Sequence, residues 1–232
     1  MLMLDPIAQD PAYHQFADQR TILGIPNFWN VVSNLPFLVA GLFGLFSLFY
    51  SDRIAILGEI KHAYLLFFAG VALVNFGSAY YHLWPGNETL VWDRLPMTFA
   101  FMALFAVIIG EFASLKTSQW VLWPLLVTGV VSVLYWHFTE TGGHGDLRLY
   151  ALVQFLPILL IPLLLLFFKS RFTNTGGYWA ILFAYLIAKI LEHFDEGMFI
   201  SLGFISGHSL KHVVAAMGVF FLLRAYQNRD KV

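Results

Sequence analysis

The sequence predicts an all-α fold, a polytopic membrane protein whose seven transmembrane helices pack as a bundle. Three observations carry this. Hydrophobic residues make up 59% of the chain and charged residues only 12%, against about 25% charged in a typical soluble domain. Mean hydropathy is +0.72. Seven stretches are long and apolar enough, or nearly so, to cross a hydrocarbon layer, which takes about 20 apolar residues per helix. Runs of that length suit helices, which satisfy their own backbone, better than barrel strands.

The predicted spans are, in order, Trp29–Tyr50, Ala63–Leu83, Leu95–Ile109, Trp120–Phe138, Leu149–Phe168, Tyr178–Leu191 and Ile205–Tyr226. The third and sixth are short by strict apolarity, and polar residues facing the bundle interior would lengthen both. Pro157 and Pro162 predict a bend in the fifth, because proline removes a helical hydrogen bond. The connections, such as "PGNET", "TETGGHGD" and "DEGMFISLG", are short. There is no internal repeat, low-complexity tract or second domain. The organisation expected is an extracytoplasmic N-terminal segment over 1–28, a membrane domain over 29–226 and a cytoplasmic tail over 227–232. Asp5, Asp10 and Asp18 punctuate the first segment, which has no long apolar run and does not read as a cleaved signal peptide.

Lysine and arginine set the orientation. Arg53, Lys61, Lys116, Lys169, Arg171, Arg224, Arg229 and Lys231 fall on one face. Arg20, Arg94 and Arg148 fall on the other. The N-terminus is therefore expected outside, in a periplasm or lumen, and the C-terminus in the cytoplasm. The net charge of -1 and the lack of a basic patch give no reason to expect nucleic acid as a partner. With no cysteine, disulfides and thiolate chemistry are excluded, and any metal must be held by nitrogen and oxygen.

Ionisable groups inside spans are costly and usually functional. Here they converge. The outer end of the second span carries Ser78 and His82, the outer start of the third carries Asp93, and the outer start of the seventh carries His208 and His212. Residues four apart share a helical face. Three histidines with a fourth position open make a common catalytic zinc set, which lowers the pKa of bound water to about 7. A nearby carboxylate can take a proton, and a serine can support an oxyanion. Asp93 and Ser78 fit those two roles. A bis-histidine haem is a rival, though it would not need Ser78 or Asp93. A retinal Schiff base on Lys211 is another, but that lysine sits at a helix mouth rather than at mid-membrane. His14, His62 and His137 read as interfacial or interhelical contacts.

The pattern S-x3-H, then Asp, then H-x3-H resembles a superfamily of seven-helix hydrolases that includes the alkaline ceramidases and the adiponectin and progestin receptors. "NFWNVVSNLP", "FGSAYYH" and "SGHSLKHVVAAM" resemble the alkaline ceramidases, especially a bacterial-type branch, over nearly the whole chain. The resemblance implies zinc on His82, His208 and His212, Asp93 as base and Ser78 beside the oxyanion. It implies a membrane lipid as substrate, with hydrolysis of the N-acyl bond of ceramide-like lipids to a sphingoid base and a fatty acid. Alternatives on the same scaffold are a hydrolase of another N-acyl or ester lipid and a receptor-like protein with structural zinc. Eukaryotic relatives carry an acidic calcium loop before the first span. Here Asp18 remains, Arg20 intrudes, and Asn27 stands where a glutamate is expected. The expectation is a degenerate site and an enzyme that works without calcium. Glu192 and Asp195, with Lys211, are expected to contact the lipid head or support the zinc ligands.

Overall fold

The computed structural model describes residues 5–51 and 54–232. Arg53, one of the cations used for orientation, lies outside the described residues. The described chain is helical: α1 (Phe28–Val32), α2 (Leu35–Tyr50), α3 (Lys61–Leu83), α4 (Asn87–Ile108), α5 (Leu115–Thr141), α6 (Arg148–Phe167), α7 (Gly176–His193), α8 (Asp195–Leu202) and α9 (Gly207–Gln227). Short 3-10 turns cover Pro11–His14 and Gly58–Ile60, and a π turn covers Ile109–Ala113.

Six helical stretches among the described residues are long and apolar enough to cross a membrane: Phe28–Tyr50, Gly58–Leu83, Asn87–Ala113, Leu115–Thr141, Arg148–Phe167 and Gly207–Gln227. The expected span missing from this set is the sixth, Tyr178–Leu191, which corresponds to α7 and packs closely along α9. At 18 residues it ends in Lys189, Glu192 and His193, which lower its mean hydropathy and keep it out of that set. The expected third span is longer than its apolar core suggested. The helix begins at Asn87 and carries Asp93 and Arg94 within it, both buried. α6 runs through both of its prolines as one helix. The connection "DEGMFISLG" is largely helical, as α8.

α3 packs between α2 and α4, and α9 between α2 and α7. The main core lies away from the α3–α4 turn and includes Tyr64, Phe68, Ala103, Val107, Leu222 and Tyr226. Leu42, Phe46, Trp120, Trp123, Leu159 and Phe183 point outward, as a lipid-facing surface requires. Two close approaches set the geometry of the other end. A Cβ on Gly77 would stand 2.0 Å from the Trp92 carbonyl oxygen, and one on Gly207 would stand 2.2 Å from the Leu191 oxygen. Glycine there lets α3 touch α4 and lets α9 touch α7.

The segment before α1 folds across this end of the bundle. Asp10 caps its 3-10 turn by accepting from the Ala12 N–H at 2.9 Å. The Leu147 N–H donates to the Ile7 carbonyl at 2.8 Å, and the Gln9 N–H donates to Glu140 Oε2 at 3.0 Å. His14 bridges the Tyr81 hydroxyl at 3.0 Å and Asn87 Oδ1 at 2.9 Å. Phe16 enters a second apolar cluster with Tyr81, Leu90, Val133, Trp136 and Tyr150.

At the opposite end the residues after α9 also fold back. Lys231 forms an antiparallel bridge with Phe172. Arg229, in the expected tail, is fully buried against Glu111, with two hydrogen bonds of 2.7 and 2.8 Å. The Tyr64 hydroxyl completes the carboxylate at 2.5 Å.

Candidate metal centre

α3 ends with Ser78 and His82 one turn apart, and α9 begins with His208 and His212 one turn apart. α4 brings Asp93 beside them on its second turn. The three histidines are buried, and one ring nitrogen from each can be chosen so that all lie within 4.8 Å of one another. The ring centroids form a near-regular triangle: 4.9 Å for His82–His208, 5.0 Å for His82–His212 and 5.1 Å for His208–His212. Among the described residues, His82 Nδ1 and His208 Nε2 are buried with no hydrogen-bond partner. A buried polar atom without a partner costs about 1–3 kcal/mol. Converging imidazoles with free nitrogens fit a metal cation, which prefers such neutral donors.

Each histidine is held from behind. The Ser33 hydroxyl bonds His212 Nδ1 at 2.8 Å. Asp195 Oδ1 accepts from the backbone N–H of His208 at 2.7 Å, and its Oδ2 accepts from Ala17 N–H at 3.0 Å. Asn27 Nδ2 donates to the His82 carbonyl at 2.8 Å. Asn27 adopts φ 49°, a left-handed conformation that asparagine tolerates better than most residues. The Ser209 hydroxyl donates to Asn30 Oδ1 at 2.7 Å. Phe16 packs on His82 and His208 with centroids 4.8 Å from each. Asn30 and Ser33 were not singled out in the sequence; the polar residue at every third position of "NFWNVVS" is the signal that could have found them with Asn27. Nothing in the sequence marked Phe16.

The histidines stand at one end of a cavity of about 380 Å³. Ser78 and Asp93 line it next to each other. Its polar end also includes Tyr13, Arg94, Lys189, Glu192 and Lys211. Its apolar wall runs along α4 through Met97, Phe101 and Leu104 to Ile108, about 22 Å at 1.5 Å per residue from Asp93. Glu192 is gripped by two lysines, Lys189 at 2.6 Å and Lys211. Lys211 is thus committed to a carboxylate, which leaves the retinal reading without support. Asp195, expected to contact the lipid head or support the zinc ligands, ties the N-terminal segment to the start of α9 through Ala17 and the His208 N–H.

Asp18 and Asn27 also have partners of their own. Arg20 donates to Asp18 from Nε at 2.8 Å and from Nη2 at 2.6 Å, and Nη2 also donates to the Phe204 carbonyl at 2.7 Å. Burial alone would raise the Asp18 carboxyl; the paired Arg20 outweighs it and holds it below the usual carboxylate range. In the outer loop, Asp146 is likewise held well below that range by the Arg148 guanidinium.

The family model for Ceramidase matches residues 21–229. The chain belongs to the ceramidase family. No curated protein matches it. Membership makes the chain a ceramide-hydrolysing membrane enzyme with a lipid substrate. The match begins just before α1 and ends at Arg229, so it includes all three histidines, Ser78, Asp93 and every cavity-lining residue except Gln9 and Tyr13. The ceramidase family thus supplies a reaction for a cavity that has polar groups at one end and an apolar wall beyond.

Proposed function

We propose that the chain is a zinc-dependent amidase that hydrolyses the N-acyl bond of ceramide-like lipids. The observation that supports this most directly is the placement of three converging buried imidazoles beside Ser78 and Asp93 at the head of a deep apolar cavity. His82, His208 and His212 would hold the metal. Bound zinc supplies Lewis acidity, which polarises a carbonyl and makes water nucleophilic near neutral pH.

The chain's own residues do the rest. Asp93 accepts a proton from the attacking water as its oxygen joins the amide carbon. The Ser78 hydroxyl, donating, steadies the carbonyl oxygen as charge builds on it. Asp93 then returns the proton to the nitrogen as the C–N bond breaks, releasing an amine and a fatty acid. The apolar wall through Phe101, Leu104 and Ile108 holds an acyl or sphingoid chain. The Lys189–Glu192–Lys211 group faces the polar head. Phe16 and the rest of the segment before α1, which forms a strap over this end of the bundle, cover the metal site from the outer end, so the lipid arrives sideways between helices. Among the described residues six helical stretches are long and apolar enough to cross a membrane, and we take α7 as a seventh span. We place the N-terminus and the site on the extracytoplasmic side, by the lysine and arginine distribution, and the C-terminus in the cytoplasm. We also infer that calcium is not needed, because Arg20 occupies the Asp18 carboxylate.

Purified protein should contain about one zinc, as a single three-histidine site implies. Given mixed N-acyl lipids, it should release fatty acid from ceramides and stop when a zinc chelator is added. Alanine at His82, His208 or His212 should abolish both metal and hydrolysis. Full zinc occupancy in all three variants, or chelator-resistant hydrolysis, would overturn the assignment.

A further inference from the structure

Arg94 follows Asp93 on α4 and lines the same cavity, yet the amide chemistry leaves it without a task. It is buried, 5% exposed. Its guanidinium lies between two aromatic rings, 4.0 Å from the Trp136 centroid and 4.5 Å from that of Tyr150. Nη2 donates to Gln9 Oε1 at 2.6 Å. Nη1 is buried and has no hydrogen-bond partner among the described residues. No carboxylate among the described residues comes within ion-pair distance of Arg94. Of the acidic groups nearby, Glu192 is held by two lysines and Glu140 accepts from the Gln9 N–H; Asp93 bonds Ser78 and feels the Arg94 charge, but forms no ion pair with it.

Stacked rings and one amide offset part of the cost of burying this charge. They do not supply a counter-charge, which a buried cation ordinarily requires. The cavity as a whole has the same imbalance. Arg94, Lys189 and Lys211 line it against Asp93 and Glu192, and a divalent metal would add to the excess. A guanidinium fixed on one edge, with donors free on the other, is built for oxygen anions.

We infer that Arg94 is an anion subsite of the cavity, receiving a carboxylate, sulfonate or phosphate oxygen of the bound lipid. The inference rests on the reading of the cavity as a lipid site, not on amide hydrolysis. Two sources share this chemistry: an acidic substituent on the head of the acylated amine, and the carboxylate of the fatty acid that hydrolysis frees. In either case Gln9 and the two rings position the guanidinium, and the anion completes its shell. Since Gln9 belongs to the N-terminal strap, an anion at Arg94 would also tighten the strap over the site.

The test compares wild type, Arg94→Gln and Arg94→Lys. Binding of a long-chain alkyl sulfonate and of the alcohol of equal chain length is measured on protein treated with a zinc chelator. Wild type should prefer the sulfonate by about tenfold or more, and Arg94→Gln should lose that preference, because a charge-assisted pair is removed. Arg94→Lys, which keeps the charge but not the fork, should fall between. Kinetics then separate the sources. If the head carries the anion, Arg94→Gln lowers kcat/KM for an acidic-head N-acyl substrate at least about tenfold more than for a neutral one. If the product carries it, the inhibition constant of the fatty acid rises by a similar factor over any change in KM. Equal binding of sulfonate and alcohol to wild type overturns the proposal, and this arm needs no variant to fold. So does a preference that survives in Arg94→Gln. A sulfonate preference in a protein that hydrolyses no N-acyl lipid would keep the subsite and sink the amidase reading.

Discussion

His212 is the histidine oriented through its own ring, by Ser33 at 2.8 Å, whereas Asn27 and Asp195 act on the backbones of His82 and His208. Partners that orient a metal-binding ring are commonly worth about 10- to 100-fold in metal affinity or activity. Ser33→Ala should therefore weaken zinc binding by that range in a competition titration; unchanged affinity would mean that helix packing alone orients the ring. Asp93→Asn should retain the metal and lose about two or more orders of magnitude in rate. Ser78→Ala should lose about ten- to a thousandfold. Wild-type turnover in Asp93→Asn would move the proton to another group. Asp18 gives a pH effect. Its carboxyl is held low in the folded state, so its contribution to docking the strap is complete above about pH 4. That contribution is lost as acid carries the pH down through the folded value. Protease sensitivity before residue 28 should rise in that range, and Arg20→Ala should raise it at neutral pH already. An identical acid profile for both proteins would discount the pair. The histidines, Ser78 and Asp93 were legible because one-turn spacings and a shared depth can be counted along helices. Phe16 was not, since it sits in a segment with no periodicity and meets His208 across the whole chain. Arg94 was visible only as a charge near a span, because its aromatic neighbours come from α5 and α6.

Two helix contacts decide whether these residues meet. α3 reaches α4 at Gly77, one residue before Ser78, and α9 reaches α7 at Gly207, one residue before His208. In both places the obstacle to a side chain is a carbonyl of the neighbouring backbone, which cannot rotate away. Gly77→Ala should push α3 off α4, separate Ser78 and His82 from Asp93, and destabilise by about 1–3 kcal/mol as overpacking does. Loss of activity with metal retained, together with a lowered melting temperature, would check it; a fully active variant would show that the helices slide freely. The helices themselves were largely legible, because apolar runs of span length have few other solutions in lipid. Their ends were less so. Asn87 to Thr89, the end of "PGNET", reads as a polar connection, yet it already belongs to α4, whose Asp93 and Arg94 turn inward to the cavity. α7 ends in charged residues for the same reason, and α8 is too short and mixed to announce itself.

The molecule closes at both ends through contacts distant in sequence. At one end His82 meets His208 and His212; at the other, Glu111 meets Arg229, with Tyr64 adding to the carboxylate. Breaking a buried pair from one side costs about 3–5 kcal/mol. Glu111→Gln or Arg229→Met should lower the melting temperature accordingly, while the double substitution to apolar residues recovers part of the loss. A single variant as stable as wild type would show that the tyrosines alone hold this end. This clasp was not legible, because Glu111 and Arg229 each read as ordinary loop charges. Helix α9, with the residues that directly follow it, takes part in both closures, and every other helix described here is made before it. Until α9 is threaded into the membrane, a nascent chain has one of the three imidazoles and a buried glutamate without its cation. On the proposed metal reading the order of synthesis would act as a safety catch: the surrounding lipid would meet a competent enzyme only once α9 is in place, and a product cut short before α9 should be inert.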